Sequence, residues 1–141
     1  LPGFGYYMIN PQDVKIEGTD KPWLFSFGCC GLTRCVIPLL SERDEPSTYT
    51  VRLGFIELTE GVRPGERVFH IKLQGETVAE NFDILKEAGK PRRAIVKEFK
   101  GIEVSKDLTL ELVPAKEITS KEAAKGKREA PILCSIEIIR E

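Results

Sequence analysis

The dominant period of hydrophobic and polar positions along the chain is two residues. In the run 49–58 the apolar side chains Val51, Leu53 and Phe55 alternate with polar or small ones such as Arg52. Because successive side chains of a strand point to opposite faces, this pattern predicts a half-buried β-strand with one face toward a core.

A second alternating run covers residues 67–73 and places Phe69 and Leu73 on its apolar side. Between the two runs lies Gly-Val-Arg-Pro-Gly at 61–65, a composition typical of turns, so the two runs are predicted to pair as a hairpin. Gly75 is expected to reverse the chain again after the second run, because glycine accepts backbone angles that other residues resist.

The same alternation predicts further strands at 23–27, 34–40, 94–99, 108–113 and 132–139. Short strands at regular spacing with few helical stretches favour an all-β sandwich. The segment 115–130, rich in Lys, Glu and Ala, interrupts this rhythm before the last strand. We expect a mobile charged surface loop there; a short helix capped by Ser120 and a binding arm are the alternatives.

Length and charge limit the classes of function. The 141 residues fit one domain with a real core, so 1–141 is treated as a single domain with 1–22 as a divergent lead-in. The formal net charge of −1 and the lack of an apolar run of about 18 residues argue against nucleic-acid binding and membrane insertion. Since residue 1 is Leu and not Met, we expect a piece of a longer polypeptide.

The four cysteines do not form a zinc signature. They lie at 29, 30, 35 and 134 without a CxxC pair, and the single histidine, His70, is far from them in sequence. A disulfide from Cys29 or Cys30 to Cys35 would close a short loop; free thiols, with Cys134 as a small buried hydrophobe, are the favoured alternative. No metal or cofactor is expected.

No catalytic constellation is recognisable in the sequence, so we expect no enzyme. His70 falls on the outward parity of its strand, and no Ser or Cys lies in a nucleophile motif. No pair of carboxylates can be assigned the spacing that a glycosidase needs. The Gly-Cys-Cys-Gly segment at 28–31 opens no predicted helix, so it is interpreted as a tight turn and not as a phosphate-binding loop.

Glu57 has the strand parity of buried residues, and an unpaired carboxylate there would be costly. We therefore expect Glu57 to lie near a strand end or to be paired. A role in a rim pocket and a structural salt bridge both stay open.

Several motifs in order resemble the malectin domain over roughly residues 23–139. They are YTVRLGFIE at 49–57, GERVFHIKLQG at 65–75, NFDI at 81–84, EAG at 87–89 and PILCSIEI at 131–138. The lead-in from VKIEGTDKPW to GCCGLTRCVIPLL is similar to that of malectin-like domains in large bacterial multi-domain proteins. The resemblance implies a jelly-roll-like β-sandwich of two antiparallel sheets with carbohydrate-binding relatives.

The resemblance also implies a location for the ligand. In sugar-binding relatives, loop aromatics at one end and an acidic residue before the last strand hold the sugar. Thr59 and Glu60 occupy the positions that carry aromatics there, Glu129 stands for the acid, and nearby rings are available in the lead-in. The candidate ligand-binding residues are Trp23, Phe27, Glu57, Thr59, Glu60 and Glu129.

The segment 81–89 is expected to be architectural. Phe82 and Ile84 are predicted to anchor in the core, while Asp83 turns outward or accepts hydrogen bonds from neighbouring amides. Gly89 is expected to close the loop before the next strand.

Two functions follow from these observations. The first is a non-catalytic carbohydrate-binding module within a larger multi-domain protein, with an oligosaccharide or polysaccharide as partner. The second is a protein-interaction or spacer domain that contacts neighbouring domains of its parent protein and binds no sugar. An extracytoplasmic location is favoured in either case.

Overall fold

The computed structural model describes residues 5–116 and 130–141, which are built almost entirely from strands. The strands are β1 (Gly5–Met8), β2 (Phe27–Cys30), β3 (Arg34–Pro38), β4 (Ser47–Phe55), β5 (Val68–Leu73), β6 (Glu76–Asp83), β7 (Ile95–Val104), β8 (Asp107–Pro114), β9 (Ile132–Leu133) and β10 (Ser135–Arg140). A 3₁₀ helix covers Pro22–Phe25 and one short α-helix, α1, covers Ile84–Ala88.

The strands form three antiparallel sheets within the described residues. Their orders are β10–β4–β7, β3–β8–β5–β6 and β1–β2–β9. The first two sheets are the layers of a β-sandwich, as predicted, and the third is a smaller sheet that joins the lead-in to β9. The all-β sandwich expected from the period-two pattern is therefore confirmed.

The two layers share one hydrophobic interior. The ring of Phe55 in β4 lies 5.8 Å from Phe69 in β5 and 4.7 Å from Phe82 in β6, measured between centroids. Leu110 of β8 is buried in the same cluster. The strand faces that the alternating pattern predicts to be buried are thus the faces by which the two layers contact each other. Burial of these side chains drives the packing of one layer on the other.

The predicted hairpin between 49–58 and 67–73 is wrong. β4 pairs with β10 and β7, and β5 pairs with β6 and β8, so the two runs belong to opposite layers. Alternation determines which side chains point to the core but not which strand lies alongside. The glycine-rich segment 61–65 carries the chain across from one layer to the other.

The chain reversal expected at Gly75 is confirmed. Gln74 and Gly75 have φ angles of 54° and 80°, so both central residues of the β5–β6 turn adopt the left-handed conformation that a two-residue hairpin favours. The Gln74 side chain adds a tie to β8, because its Oε1 accepts a hydrogen bond from Thr109 N at 2.7 Å.

Two predictions for the lead-in need correction. Residues 22–25 form a 3₁₀ helix that begins at Pro22, so the strand predicted at 23–27 is wrong except at its last residue. Gly28 lies within strand β2 and not in a tight turn. A Cβ at Gly28 would meet the ring of Tyr7 at 2.1 Å, so the glycine makes room for the aromatic side chain on the neighbouring strand.

The segment 81–89 combines a strand end with a helix that the sequence analysis did not predict. Phe82 and Ile84 are buried core anchors, as expected. Asp83 is buried and accepts hydrogen bonds from Lys86 N at 3.0 Å and from Gly65 N at 2.6 Å, which confirms the expected bonds to neighbouring amides. It thereby caps α1, which ends at Gly89 with φ 80°.

The charged loop predicted before the last strand lies largely outside the described residues, because residues 117–129, with Ser120, are not described. All four cysteines are free thiols, and Cys134 packs against the core with its Sγ 2.9 Å from the Tyr7 hydroxyl.

Within the described ranges, none of the helices has the length and apolar character needed to span a bilayer.

Candidate functional site

A buried ion pair lies at the end of β4. Glu57 follows the strand by two residues, and its Oε2 accepts a hydrogen bond from Arg67 Nε at 2.6 Å. Arg67 immediately precedes β5, so the pair joins the two layers at one rim of the sandwich. Glu57 is near a strand end and also paired, as its buried parity required.

The pair also fixes the backbone around it. Glu57 Oε1 accepts a hydrogen bond from Thr59 N at 3.1 Å, and Arg67 donates to the Thr59 hydroxyl at 3.5 Å. A further Arg67 N–H donates to the carbonyl of Ala130. Among the described residues, no buried side-chain polar atom lacks a hydrogen-bond partner. The ion pair is therefore a fully satisfied brace that holds Thr59 in place.

Beside this brace lies a small concave site, here called the rim pocket, with a volume of about 270 Å³. Its lining residues are Leu58, Thr59, Glu60, Gly61, Val62, Pro91 and Arg92. The Thr59 hydroxyl, the Glu60 carboxylate and the Arg92 guanidinium supply both donors and acceptors. The last two approach each other to 4.0 Å on the surface, which leaves them accessible to a ligand.

A larger depression, here called the sheet-face groove, lies on the outer face of the β10–β4–β7 sheet and measures about 530 Å³. Its lining residues are Thr19, Asp20, Lys21, Leu24, Phe25, Arg52, Gly54, Val96, Ser135, Ile136 and Glu137. Gly54 pairs with Ser135 on one side and with Val96 on the other, so these three form one cross-strand row of its floor.

Charges beside the groove are fixed by ion pairs. Arg52 Nε lies 2.6 Å from Glu98 and its Nη1 lies 3.5 Å from Glu137. The hydrogen bond to Glu98 raises the pKa of Arg52, and the same bond lowers the pKa of Glu98. The guanidinium is thus held in one orientation on the sheet surface.

The family profile of the malectin domain matches residues 38–136. The chain belongs to the malectin domain family. No curated protein matches this malectin domain.

Several solved structures have a similar fold, and this chain corresponds to only part of each of them. β-glucuronidase 2 of Bacteroides uniformis has 16% identity and a TM-score of 0.70, with 96% of this chain and 13% of that chain covered. The plant protein FER, in complex with the peptide RALF23 and LLG2, has 18% identity and a TM-score of 0.69, covering 96% and 38%. The ANXUR1 extracellular domain of Arabidopsis thaliana has 15% identity and a TM-score of 0.72, with 96% of this chain and 38% of that chain covered. At these identities the likeness shows the fold alone.

The malectin domain places two of the six predicted ligand residues in the lining of the rim pocket, with a third close to them in sequence. Thr59 and Glu60 line the rim pocket. Glu57 does not line it, because its carboxylate is buried and turned to Arg67 and Thr59. Glu129 lies outside the described residues, next to Ala130, whose carbonyl accepts from Arg67.

The two predicted aromatics lie elsewhere. Trp23 and Phe27 are exposed and do not line the rim pocket. Phe27 stacks on Tyr6 of β1 with centroids 5.4 Å apart, and Met8 is its register partner. Tyr6, Met8 and Phe27 form what we call the apolar patch, a set of large exposed side chains on the outer face of the small sheet.

Sequence reasoning missed Arg67 and Arg92. The signal for a cation near Glu57 was its buried parity, which demands a partner, and Arg67 begins the next alternating run. Arg92 had no such signal, since it reaches the site through a backbone hydrogen bond from its N to Glu57 O at 3.0 Å. In the described ranges, no group of three or more His, Cys, Asp or Glu residues is placed to hold a metal ion.

Proposed function

We propose that this malectin domain is a non-catalytic carbohydrate-binding module within a larger multi-domain protein. The observation that carries the proposal is the rim pocket, where Thr59, Glu60 and Arg92 offer hydrogen bonds beside a buried brace. Its volume of about 270 Å³ lies near the lower end of small-molecule sites, which start at roughly 300 Å³. A pocket of that size suits a single sugar ring.

The lining gives a sugar both kinds of contact that it needs. Thr59, Glu60 and Arg92 donate to or accept from hydroxyls, while Leu58 and Val62 pack against the apolar C–H face of a ring. Among the described residues that line the pocket, none is aromatic, so none of them offers a flat ring to stack on the sugar. We therefore expect a single ring to bind weakly, with a Kd near 1 mM, or about −4 kcal/mol.

The six candidate residues take different roles in this proposal. Thr59 and Glu60 contact the sugar, and Glu57 acts as a positioning residue because its carboxylate fixes Thr59 N. Trp23 and Phe27 offer exposed rings for a longer polysaccharide outside the pocket. Glu129 is proposed as an additional acidic ligand, in keeping with the family resemblance.

The test is a titration followed by two-dimensional NMR of the amide groups. A panel of neutral mono- and oligosaccharides is expected to shift the amides of Thr59, Glu60 and Gly61 at millimolar concentration. Glu60→Gln should weaken binding severalfold, whereas Glu42→Gln, at an equally exposed carboxylate on the loop after β3, should not. If no sugar of the panel shifts the rim amides, the proposal is overturned.

A second candidate function is favoured by the apolar patch. Tyr6, Met8 and Phe27 expose large apolar side chains together, as a protein-binding surface does. FER is similar in fold and occurs in a complex with a peptide and LLG2. An extracytoplasmic location, as in the extracellular domain of ANXUR1, suits both candidates. Phe27→Ser would weaken binding of a protein partner but leave sugar-induced shifts at the rim pocket unchanged.

A further inference from the structure

We propose that the sheet-face groove binds the rings that follow the one in the rim pocket, so that the two sites together hold a neutral oligosaccharide. This inference rests on the proposed function and extends it to a surface that no predicted ligand residue lines.

The groove and the rim pocket are neighbours because two short segments run from one to the other. Gly54 lines the groove, and Leu58, four residues later, lines the pocket. Val96 lines the groove, and Arg92, four residues earlier, lines the pocket. Four residues of extended chain span at most about 14 Å, at up to about 3.6 Å per residue. An oligosaccharide of a few rings covers that distance.

A third segment ties the two sites together through backbone hydrogen bonds. Glu17 N donates to Arg92 O at 2.9 Å, and Ala94 N donates to Glu17 O at 2.8 Å. Two residues further along, Thr19 begins the bank of the groove formed by 19–21. The segment is therefore hydrogen-bonded to Arg92, which lines the pocket, and continues along the chain into the wall of the groove.

The charges in the groove suit a neutral, polar ligand. Asp20 and Glu137 carry negative charge, and Lys21 and Arg52 carry positive charge, so the four formal charges cancel. An anionic or cationic polymer would meet as much repulsion as attraction. Charged groups of both signs serve instead as strong donors and acceptors for hydroxyl groups.

The floor of the groove offers apolar contact between these polar banks. Leu24 and Val96 are apolar lining residues, and they are 41% and 55% exposed. A sugar ring presents a C–H face and a rim of hydroxyls, which matches an aliphatic floor with polar edges. At about 530 Å³ the groove has close to twice the volume of the rim pocket, about 270 Å³, so it has room for more than one ring.

The experiment measures how affinity depends on the number of rings. Glucose and its α-1,4- and β-1,4-linked oligomers of two to four units are titrated by calorimetry and amide NMR. We expect at least a tenfold gain in affinity from one ring to three in one of the two series. Only the longer sugars should shift the amides of Gly54 and Ser135.

A matched pair of variants tests whether the groove provides this gain. Val96→Lys places a charged side chain across the floor and should abolish the gain with length. Val36→Lys makes the same change at a comparably exposed valine of β3, on the other layer, and should preserve it. Neither site is in the buried core, so both variants should fold.

The outcomes separate the inference from the proposed function. Glucose binding at the rim without a gain in longer sugars, or a gain that survives Val96→Lys, overturns the inference and leaves the proposed function standing. Shifts at Gly54 and Ser135 without shifts at the rim would overturn both, because the first ring is placed in the rim pocket in each. Binding of no sugar overturns both.

Discussion

Glu57 and Arg67 form an ion pair that solvent does not reach. The Nε–Oε2 distance is 2.6 Å, and the two side chains are 2% and 3% exposed. Arg52 and Glu98 approach to the same 2.6 Å on the outer sheet face, but their side chains are 41% and 36% exposed. The two ion pairs therefore have the same nitrogen–oxygen distance, but one is buried and the other is exposed to solvent.

Removal of one partner should therefore have very different consequences in the two pairs. Arg67→Met leaves the Glu57 carboxylate buried without its cation, and we expect a loss of about 3–5 kcal/mol in the free energy of unfolding. Arg52→Met leaves Glu98 in contact with water, so little stability should be lost. Urea denaturation of both variants measures the difference, and equal losses would contradict the role given to the brace.

The replacement of both buried partners tests the same pair from another side. Glu57→Leu with Arg67→Met removes both charges, and we expect much of the stability lost in Arg67→Met to return. The double variant should still lose sugar binding at the rim, because Thr59 N no longer has its acceptor.

The period-two pattern was sufficient to predict the sandwich and its inward faces. Phe55, Phe69 and Leu110 all point into one interior, because parity along a strand is a local property. Which strands lie side by side in a sheet depends instead on residues that are far apart in the sequence. β4 already has β7 and β10 on its two edges, so the turn at 61–65 cannot make it pair with β5.

The positions of Thr59 and Glu60 came from the family resemblance, and the pattern itself indicated the candidate site only where a residue conflicted with it. Glu57 is a carboxylate with buried parity, and this conflict signalled a paired position near a rim. Arg92 lies in a loop, and the groove is assembled from the lead-in and three strands that are distant in sequence. Nothing in a local window indicates such an assembly. Trp23 and Phe27 were predicted because aromatic rings stack on sugars, but their distance from the rim pocket depends on the tertiary fold, which the sequence pattern does not indicate.

Asp83 is expected to contribute to stability through two hydrogen bonds at once. One oxygen caps α1 at Lys86 N and the other holds Gly65 N in the crossover between the layers. Asp83→Ala should cost about 2–3 kcal/mol, which combines the loss of a cap with an unsatisfied amide. Asp83→Asn keeps one carbonyl oxygen and should cost less in thermal or urea unfolding. Equal costs would show that the second bond adds nothing.

Gly54 is expected to tolerate no side chain. A Cβ at this position would meet Ser135 Oγ at 2.1 Å and the Phe25 ring at 3.0 Å. Gly54→Ala should therefore cost about 1–3 kcal/mol, although alanine is normally favoured over glycine within a strand. Addition of Ser135→Ala removes the closest atom and should restore most of the loss in the same unfolding measurement. A Gly54→Ala variant as stable as the natural chain would contradict the close packing of this row.

The buried thiol of Cys134 should make the domain less stable in alkali. Burial raises its pKa from an ordinary 9.0 to about 11, although the hydrogen bond with Tyr7 opposes the shift. The folded state therefore favours the protonated thiol. This stabilisation is complete below about pH 9, where the unfolded thiol is also protonated, and is lost as the pH rises from about 9 to about 11. A rise in pKa from 9.0 to about 11 corresponds to on the order of 3 kcal/mol.

The pKa of Tyr7 is raised too, first by burial and then by Cys134, so Tyr7 adds to the loss at higher pH. Urea denaturation of Cys134→Ala between pH 8 and 10.5 should show a shallower decline than the natural chain. Cys35→Ala changes a partly buried cysteine in the other layer, where its register partner is Leu110, and serves as the control. If Cys134→Ala declines with pH as steeply as the control, the thiol is not the group that titrates on unfolding.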